Sequence, residues 1–187
     1  PEYGVEPIVL TVDEKYASYP QMDASLCDEV SDKLRVIKTE TREVLSLYKH
    51  ISPNGQLPHT GFANEKKPNF IQKISRFIRG NLFLPDPRKG WNKYAYKEAC
   101  KLIESEHIDA VVTTSPPHST QLIGLKIKRK YPNIKWIADL RDPWTDIYFN
   151  KDLYQTSLAK MYNAHLERKV LETADEIITV TGYCMEN

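Results

Sequence analysis

Asp109-Ala110-Val111-Val112-Thr113-Thr114-Ser115-Pro116-Pro117-His118-Ser119 is the stretch on which the fold turns. Its first half is an apolar, β-branched run without helical period, the pattern of a buried strand; its second half is a turn leading into a helix. That helix is expected to run to about Tyr131, where Pro132 stops it. Residues 135–141 (KWIADLR) form the next strand, closed by Asp142-Pro143-Trp144, because proline cannot continue a central ladder. A long helix over about 153–172 carries Leu158, Met161, Tyr162, His165, Leu166, Lys169 and Val170 on one side, and residues 176–181 (EIITVT) read as the last strand. Strand, helix, strand, helix, strand is the signature of a parallel sheet with right-handed crossovers.

Upstream, residues 6–12 are a short apolar run expected as a buried strand, and residues 33–41, with Leu34, Val36 and Ile37 among charges, as a strand nearer a sheet edge. Residues 51–69 hold Pro53, Gly55, Pro58, Gly61 and Pro68, a density of turn formers that marks a loop. Asn69 followed by Gln72 is a capping-box pattern opening a helix with Phe70, Ile71, Ile74, Phe77, Ile78 and Leu82 on one face and Lys73, Arg76 and Arg79 on its flanks. Packing into the core is the ordinary destination of such a stripe; an anionic membrane surface, met through residues 66–93, is the alternative. Pro85-Asp86-Pro87 stops this helix, and Trp91 introduces another with Ala95, Ala99, Leu102 and Ile103 at helical spacing. Glu98 and Glu106 have the spacing of a sugar-nucleotide glutamate pair, but on a helix they lie about two turns apart and decorate a solvated face.

Composition narrows the classes. A chain of 187 residues is one domain or slightly more, and 26 Lys plus Arg against 25 Asp plus Glu gives a net charge of +1, without the basic excess of a nucleic-acid packer. A nucleic-acid role through the basic and aromatic residues of 62–101 is therefore the weakest rival. Apolar residues at 41% and charged residues at 27% describe a chain that folds. No apolar run is long enough to cross a bilayer, and the first residues carry no basic-then-apolar targeting pattern, so a cytoplasmic location is expected. Cys27, Cys100 and Cys184 are scattered and odd in number, which fits a reducing compartment; with no paired histidines, neither a disulfide framework nor a metal site is expected. The glycine fingerprints of dinucleotide and P-loop sites and the nucleophile elbow of hydrolases are all missing, so no cofactor is expected.

Ligands of open parallel sheets bind beyond the carboxyl ends of the strands, and the informative polar residues stand there. Ser115 and His118 follow one strand, Asp139, Arg141, Asp142 and Trp144 end or follow the next, and Thr181 and Gly182 follow the last. His118, at the first turn of a helix, is expected to stay neutral and to accept a proton or bind a hydroxyl; it equally suits a plain turn cap. Asp139, Arg141 and Asp142 set two carboxylates around one guanidinium, either a substrate site or an ion-pair cluster holding the loop. Asp142 is the better candidate to face ligand, while Asp139 alternates with Ala138 and Leu140 as an anchor. Trp144 either stacks on a sugar or plugs the core, and plugging is the commoner fate.

Residues 109–119, Trp136-Ile137-Ala138-Asp139-Leu140-Arg141-Asp142-Pro143-Trp144, and Leu166-Glu167-Arg168 running into Ala174-Asp175-Glu176-Ile177-Ile178-Thr179-Val180 resemble the N-terminal, acceptor-side domain of GT-B glycosyltransferases of family 4. Residues 84–91 (LPDPRKGW) resemble, more weakly, members that build surface polysaccharides. The resemblance implies an α/β fold, a Rossmann-like parallel sheet with helices on both faces, forming the N-terminal half of a GT-B enzyme across residues 1–187. It implies further that the family's first strand and its donor-binding C-terminal domain lie outside this chain. Loss of that central strand would expose two ladder edges and rearrange the sheet or pair chains into a homodimer. The implied reaction moves a sugar from a nucleotide-sugar donor to a saccharide or lipid-linked saccharide acceptor, with retention and no catalytic metal. On this reading His118 and Asp142 are the catalytic candidates, and Ser115, Asp139, Arg141 and Trp144 bind substrate. The rival is a non-catalytic α/β ligand-binding or interaction module.

Overall fold

Five parallel-paired strands and four α-helices alternate along a computed structural model that describes residues 4–17, 34–42 and 70–180, with single positions at 25 and 30. Strands β1 (Ile8–Val12) and β2 (Arg35–Thr39) come first, then helices α1 (Phe70–Leu82) and α2 (Asn92–Ser105). Strand β3 (Ala110–Ser115), helix α3 (Gln121–Lys130), strand β4 (Lys135–Leu140), helix α4 (Ser157–Thr173) and strand β5 (Glu176–Thr179) complete the order. Short 3₁₀ turns occupy Lys89–Trp91, His118–Thr120 and Tyr148–Leu153. The α/β class with parallel strands is thus what the alternating sequence pattern called for. The turn-rich segment 51–69, the cap at Asn69 and the rim positions Thr181 and Gly182 lie outside the described residues.

The sheet expected as one comes as two pieces, β1–β2 and β3–β4–β5. The break falls between β1 and β3, whose Leu10 and Val111 both pack on the cluster made by Ala95 of α2 and Ile123 and Ile127 of α3. Helix α2 lies along β2, held at its start by a hydrogen bond from Trp91 Nε1 to Thr39 Oγ1 (2.8 Å) and at its end by an ion pair between Arg35 and Glu106 (2.6 Å). Glu98 pairs separately with Lys101, so the two glutamates of α2 serve its surface, as their helical spacing required.

Between β3 and β4 the register sets Val111 beside Trp136, Thr113 beside Ala138 and Ser115 beside Leu140, and this alternate row turns toward the helices. Trp136, Ala138, Leu125, Trp144 and Val170 form the central core. Glycine at 124 is what admits the tryptophan, because a β-carbon there would stand 2.1 Å from Trp136 Nε1. The opposite row, including Val112 and Ile178, is exposed, so the described helices cover one face of this sheet.

Around Trp136 the polar groups of this core are matched, whereas Trp144 Nε1 is buried without a partner. Gln121 is fully buried; its amide nitrogen meets the carbonyls of Thr113 (3.1 Å) and Asp139 (2.9 Å) and the Ser115 hydroxyl (3.0 Å). Its oxygen accepts from the Thr113 hydroxyl, which in turn accepts from Trp136 Nε1 (2.8 Å). One side chain therefore ties α3 to both strands at the end where β3 and β4 open into the rim.

The two apolar stripes lying farthest from this core take a different course. Helix α1 buries Arg76 (4% exposed) and presses Gly80 against Leu153, while Phe70 (76% exposed), Ile74, Phe77 and Leu82 face outward. Four of the six residues of that stripe thus stay out of the core, Ile78 is half-buried, and the Ile71 side chain lies outside the described ones. In α4 the inward line is Ala159, Asn163 and Val170 with Leu166, whereas Leu158 (78% exposed), Met161, Tyr162 and His165 point out. Of the stripe read from the sequence only Leu166 and Val170 join that inner line, and its first half sits around the corner. Helix α4 also starts later than expected, capped by Thr156, whose hydroxyl accepts from Ala159 N (3.3 Å), and the preceding turn ends at Tyr154 in the left-handed region with φ 47°.

Candidate functional site

The rim is assembled from three loops. His118 opens the 3₁₀ turn after β3, Asp142 and Trp144 follow β4, and Asp86 arrives from the segment joining α1 to α2. Asp86 fixes the His118 turn from outside: its carboxylate accepts from Ser119 N (2.7 Å) and from the Ser119 hydroxyl (3.0 Å), and from Arg88 N (2.9 Å) of its own loop. Asn92 Nδ2 donates to the Ser119 carbonyl (2.7 Å), so the start of α2 holds the same turn.

The His118 ring stacks on the Trp144 indole with centroids 5.1 Å apart and planes 13° from parallel. Burial pushes the His118 imidazole below the ordinary value of 6.5, while the negative fields of Asp86 and Asp142 and the Pro143 carbonyl pull it partly back. The ring is held neutral, as the sequence led one to expect, but by desolvation rather than by the helix terminus. Its Nδ1 is buried and has no hydrogen-bond partner. The ring thus lies between the Asp86 and Asp142 carboxylates with the Pro143 carbonyl beside it, and Asp142 is the exposed member of this group.

Trp144 is 4% exposed and belongs to the central core, so it plugs the fold and offers its face to His118 rather than to a ligand. Its loop is secured from below. Asn150 Nδ2 donates to the carbonyls of Trp144 (3.2 Å) and Thr145 (2.9 Å), and Glu167 of α4 accepts from Thr145 N (3.4 Å) and Oγ1 (2.5 Å). Ser115 is fully buried and donates to the Asp139 carbonyl (3.3 Å), which places its hydroxyl in the wall beneath the rim. The Asp139 carboxylate, largely buried, accepts from Arg141 Nε (3.2 Å), and the Arg141 side chain is mostly exposed. Asp142 is exposed.

Of the six residues singled out from the sequence, Arg141 and Asp142 are exposed at the rim and His118 lies largely buried within the field of Asp142, while Arg141 pairs with Asp139, and Ser115 and Trp144 are buried in the wall. Asp86, Asn150 and Glu167 were not singled out. Asp86 stands between two prolines, a pattern that signals only a helix stop, and the other two act through loops whose partners are distant in sequence. A cavity of about 390 Å³ lined by Ile103, Glu106, His107, Tyr131 and Ile134 lies at the amino ends of β3 and β4, away from this chemistry. Among the described residues no group of three or more His, Cys, Asp or Glu side chains is placed to hold a metal ion.

Comparison of the chain with protein-family models, with curated proteins and with solved structures gives no match.

Proposed function

We propose that the rim around His118 is a saccharide-binding site and that the protein serves as the acceptor side of a retaining glycosyltransferase using a nucleotide-sugar donor. The observation that carries this reading is the placement of His118, neutral and stacked on Trp144, beside the exposed Asp142 at the carboxyl edge of a parallel sheet. On this proposal His118 orients or deprotonates the acceptor hydroxyl. Asp142 and Arg141 bind neighbouring hydroxyls, and Asp139 holds Arg141 in place. The donor is a substrate rather than a resident cofactor, and it is bound by a second domain. The sequence resemblance of residues 109–180 to family 4 enzymes supports the same assignment, with a growing polysaccharide or a lipid-linked saccharide as acceptor and surface polysaccharide synthesis as the setting.

The test is incubation of the intact protein with a panel of nucleotide-sugars, scored by release of the nucleotide. Turnover is expected, and His118→Ala and Asp142→Asn should each lower it at least about tenfold, equivalent to 1.4 kcal/mol of transition-state stabilisation. Equal turnover in both variants and the parent would refute the catalytic roles. A non-catalytic α/β binding module draws its support from the internal placement of Ser115 and Trp144 and from the Asp139–Arg141 pair. Saccharide binding at the rim with no turnover of any donor would favour it.

A further inference from the structure

We propose that the outward apolar face of α1, continued by the first turns of α4, docks on an anionic lipid bilayer surface. The proposal begins from an inversion: α1 is strongly amphipathic, yet it turns Arg76 and Gly80 inward and leaves Phe70, Ile74, Phe77 and Leu82 exposed. Water-exposed apolar residues scattered singly need no explanation, but four along one helix do.

The stripe does not end with the helix. Asn81 donates to the Tyr154 carbonyl (3.2 Å) and accepts from Thr156 N (2.8 Å) and from the Thr156 hydroxyl (2.8 Å). That junction sets the start of α4 beside the end of α1, and α4 and the turn before it expose Tyr154, Leu158, Met161 and Tyr162. On both helices the exposed leucine, isoleucine, methionine and phenylalanine are accompanied by tyrosines, the side chains that settle at the headgroup level of a bilayer.

Charge selects the occupant. With Arg76 buried, the exposed cation of helix α1 is Lys73, the helix carries no carboxylate, and residues 148–162 add the exposed Lys151 and Lys160 against a single Asp152. Cations bordering an apolar stripe suit a surface of anionic lipid, where acyl chains take the apolar side chains and headgroups take the charges. A second copy docked through the same patch would instead set Lys73 and Lys160 against like charges. No described helix is long and apolar enough to cross a membrane, so contact would be with the surface. This inference does not rest on the sugar-transfer reading, since a protein that bound vesicles and turned over no donor would still satisfy it.

The experiment is sedimentation of the intact protein with vesicles of phosphatidylcholine, with and without about one-third phosphatidylglycerol. Binding is expected to the anionic vesicles, falling as salt is raised. Phe77→Asp and Leu158→Asp should each weaken partitioning about tenfold or more, with Phe70→Asp, at the most exposed position of α1, repeating the test in case either variant melts early. Lys73→Glu combined with Lys160→Glu should remove the preference for anionic lipid. Failure to bind anionic vesicles, binding indifferent to the aspartate substitutions, or a dimer in sedimentation velocity that those substitutions dissolve without any vesicle binding would each overturn the proposal.

Discussion

Helices α1 and α3 have similar sequence credentials and opposite fates. Both show apolar residues at helical spacing with basic residues between them. Helix α3 turns Ile123, Leu125 and Ile127 into the core and closes over Trp136, with Gln121 satisfying every polar group it covers. In α1 an arginine and a glycine go in and the phenylalanines go out. Periodicity announces that a helix will form; what it packs on depends on whether a sheet lies within reach of its neighbours in the chain. Because α3 connects β3 to β4 directly, its apolar face has one short path to the sheet, whereas α1 is followed by Pro85-Asp86-Pro87 and is fastened by Asn81 and Gly80 to the 148–156 segment instead.

That contrast can be broken by substitution. Gly124→Ala forces a methyl into the indole of Trp136 and should cost about 3 kcal/mol or more of stability, read as a large fall in denaturant midpoint. A parent-like midpoint would mean that α3 is not seated on Trp136 as described. Gln121→Leu keeps the volume but takes the amide donor from the Thr113 carbonyl, the acceptor from the Thr113 hydroxyl and one of two side-chain donors from the Asp139 carbonyl, and about 2 kcal/mol should be lost in the same assay.

At the rim the expected effect is on proton affinity. His118 should titrate below the ordinary 6.5 by NMR, and Asp142→Asn should lower it further, because a nearby carboxylate favours the imidazolium. With its folded-state value depressed, His118 contributes stability that is fully present above the ordinary value and is lost as pH falls through the folded one. A midpoint at or above the ordinary value would contradict burial of the ring. Smallest of all should be Phe77→Ser, within about 0.5 kcal/mol of the parent, since Phe77 covers nothing in the core. A loss comparable to that of Gln121→Leu would show the α1 stripe packed rather than outward.

Much of the α/β order was legible because β-branched runs and their proline stops are local signals: β3, β4 and β5 fall within a residue or two of where the chain places them. The division of the sheet between β1 and β3 was not legible, since nothing in either strand marks which edge lacks a partner. His118 and Asp142 could be read as rim residues because strand ends are predictable, and the fields of both Asp142 and Asp86 do reach the imidazole. The supporting shell could not be read. Glu167 is 22 residues from the Thr145 it holds, and Asp86 is 33 from Ser119, distances over which a single sequence carries no pairing signal. Exposure of Phe70 and Leu158 was equally hidden, because amphipathicity does not say which side of a helix meets the protein.

The claim on which the account stands is that carbohydrate is gripped where the loops after β3 and β4 meet. Titrating saccharides into the isotopically labelled protein and following the His118 imidazole and the Arg141 and Asp142 amides by NMR tests it most directly. The account predicts saturable shifts concentrated on those three residues, abolished by His118→Ala. Shifts confined to another face, or none at all with acidic, neutral and amino sugars alike, would contradict it.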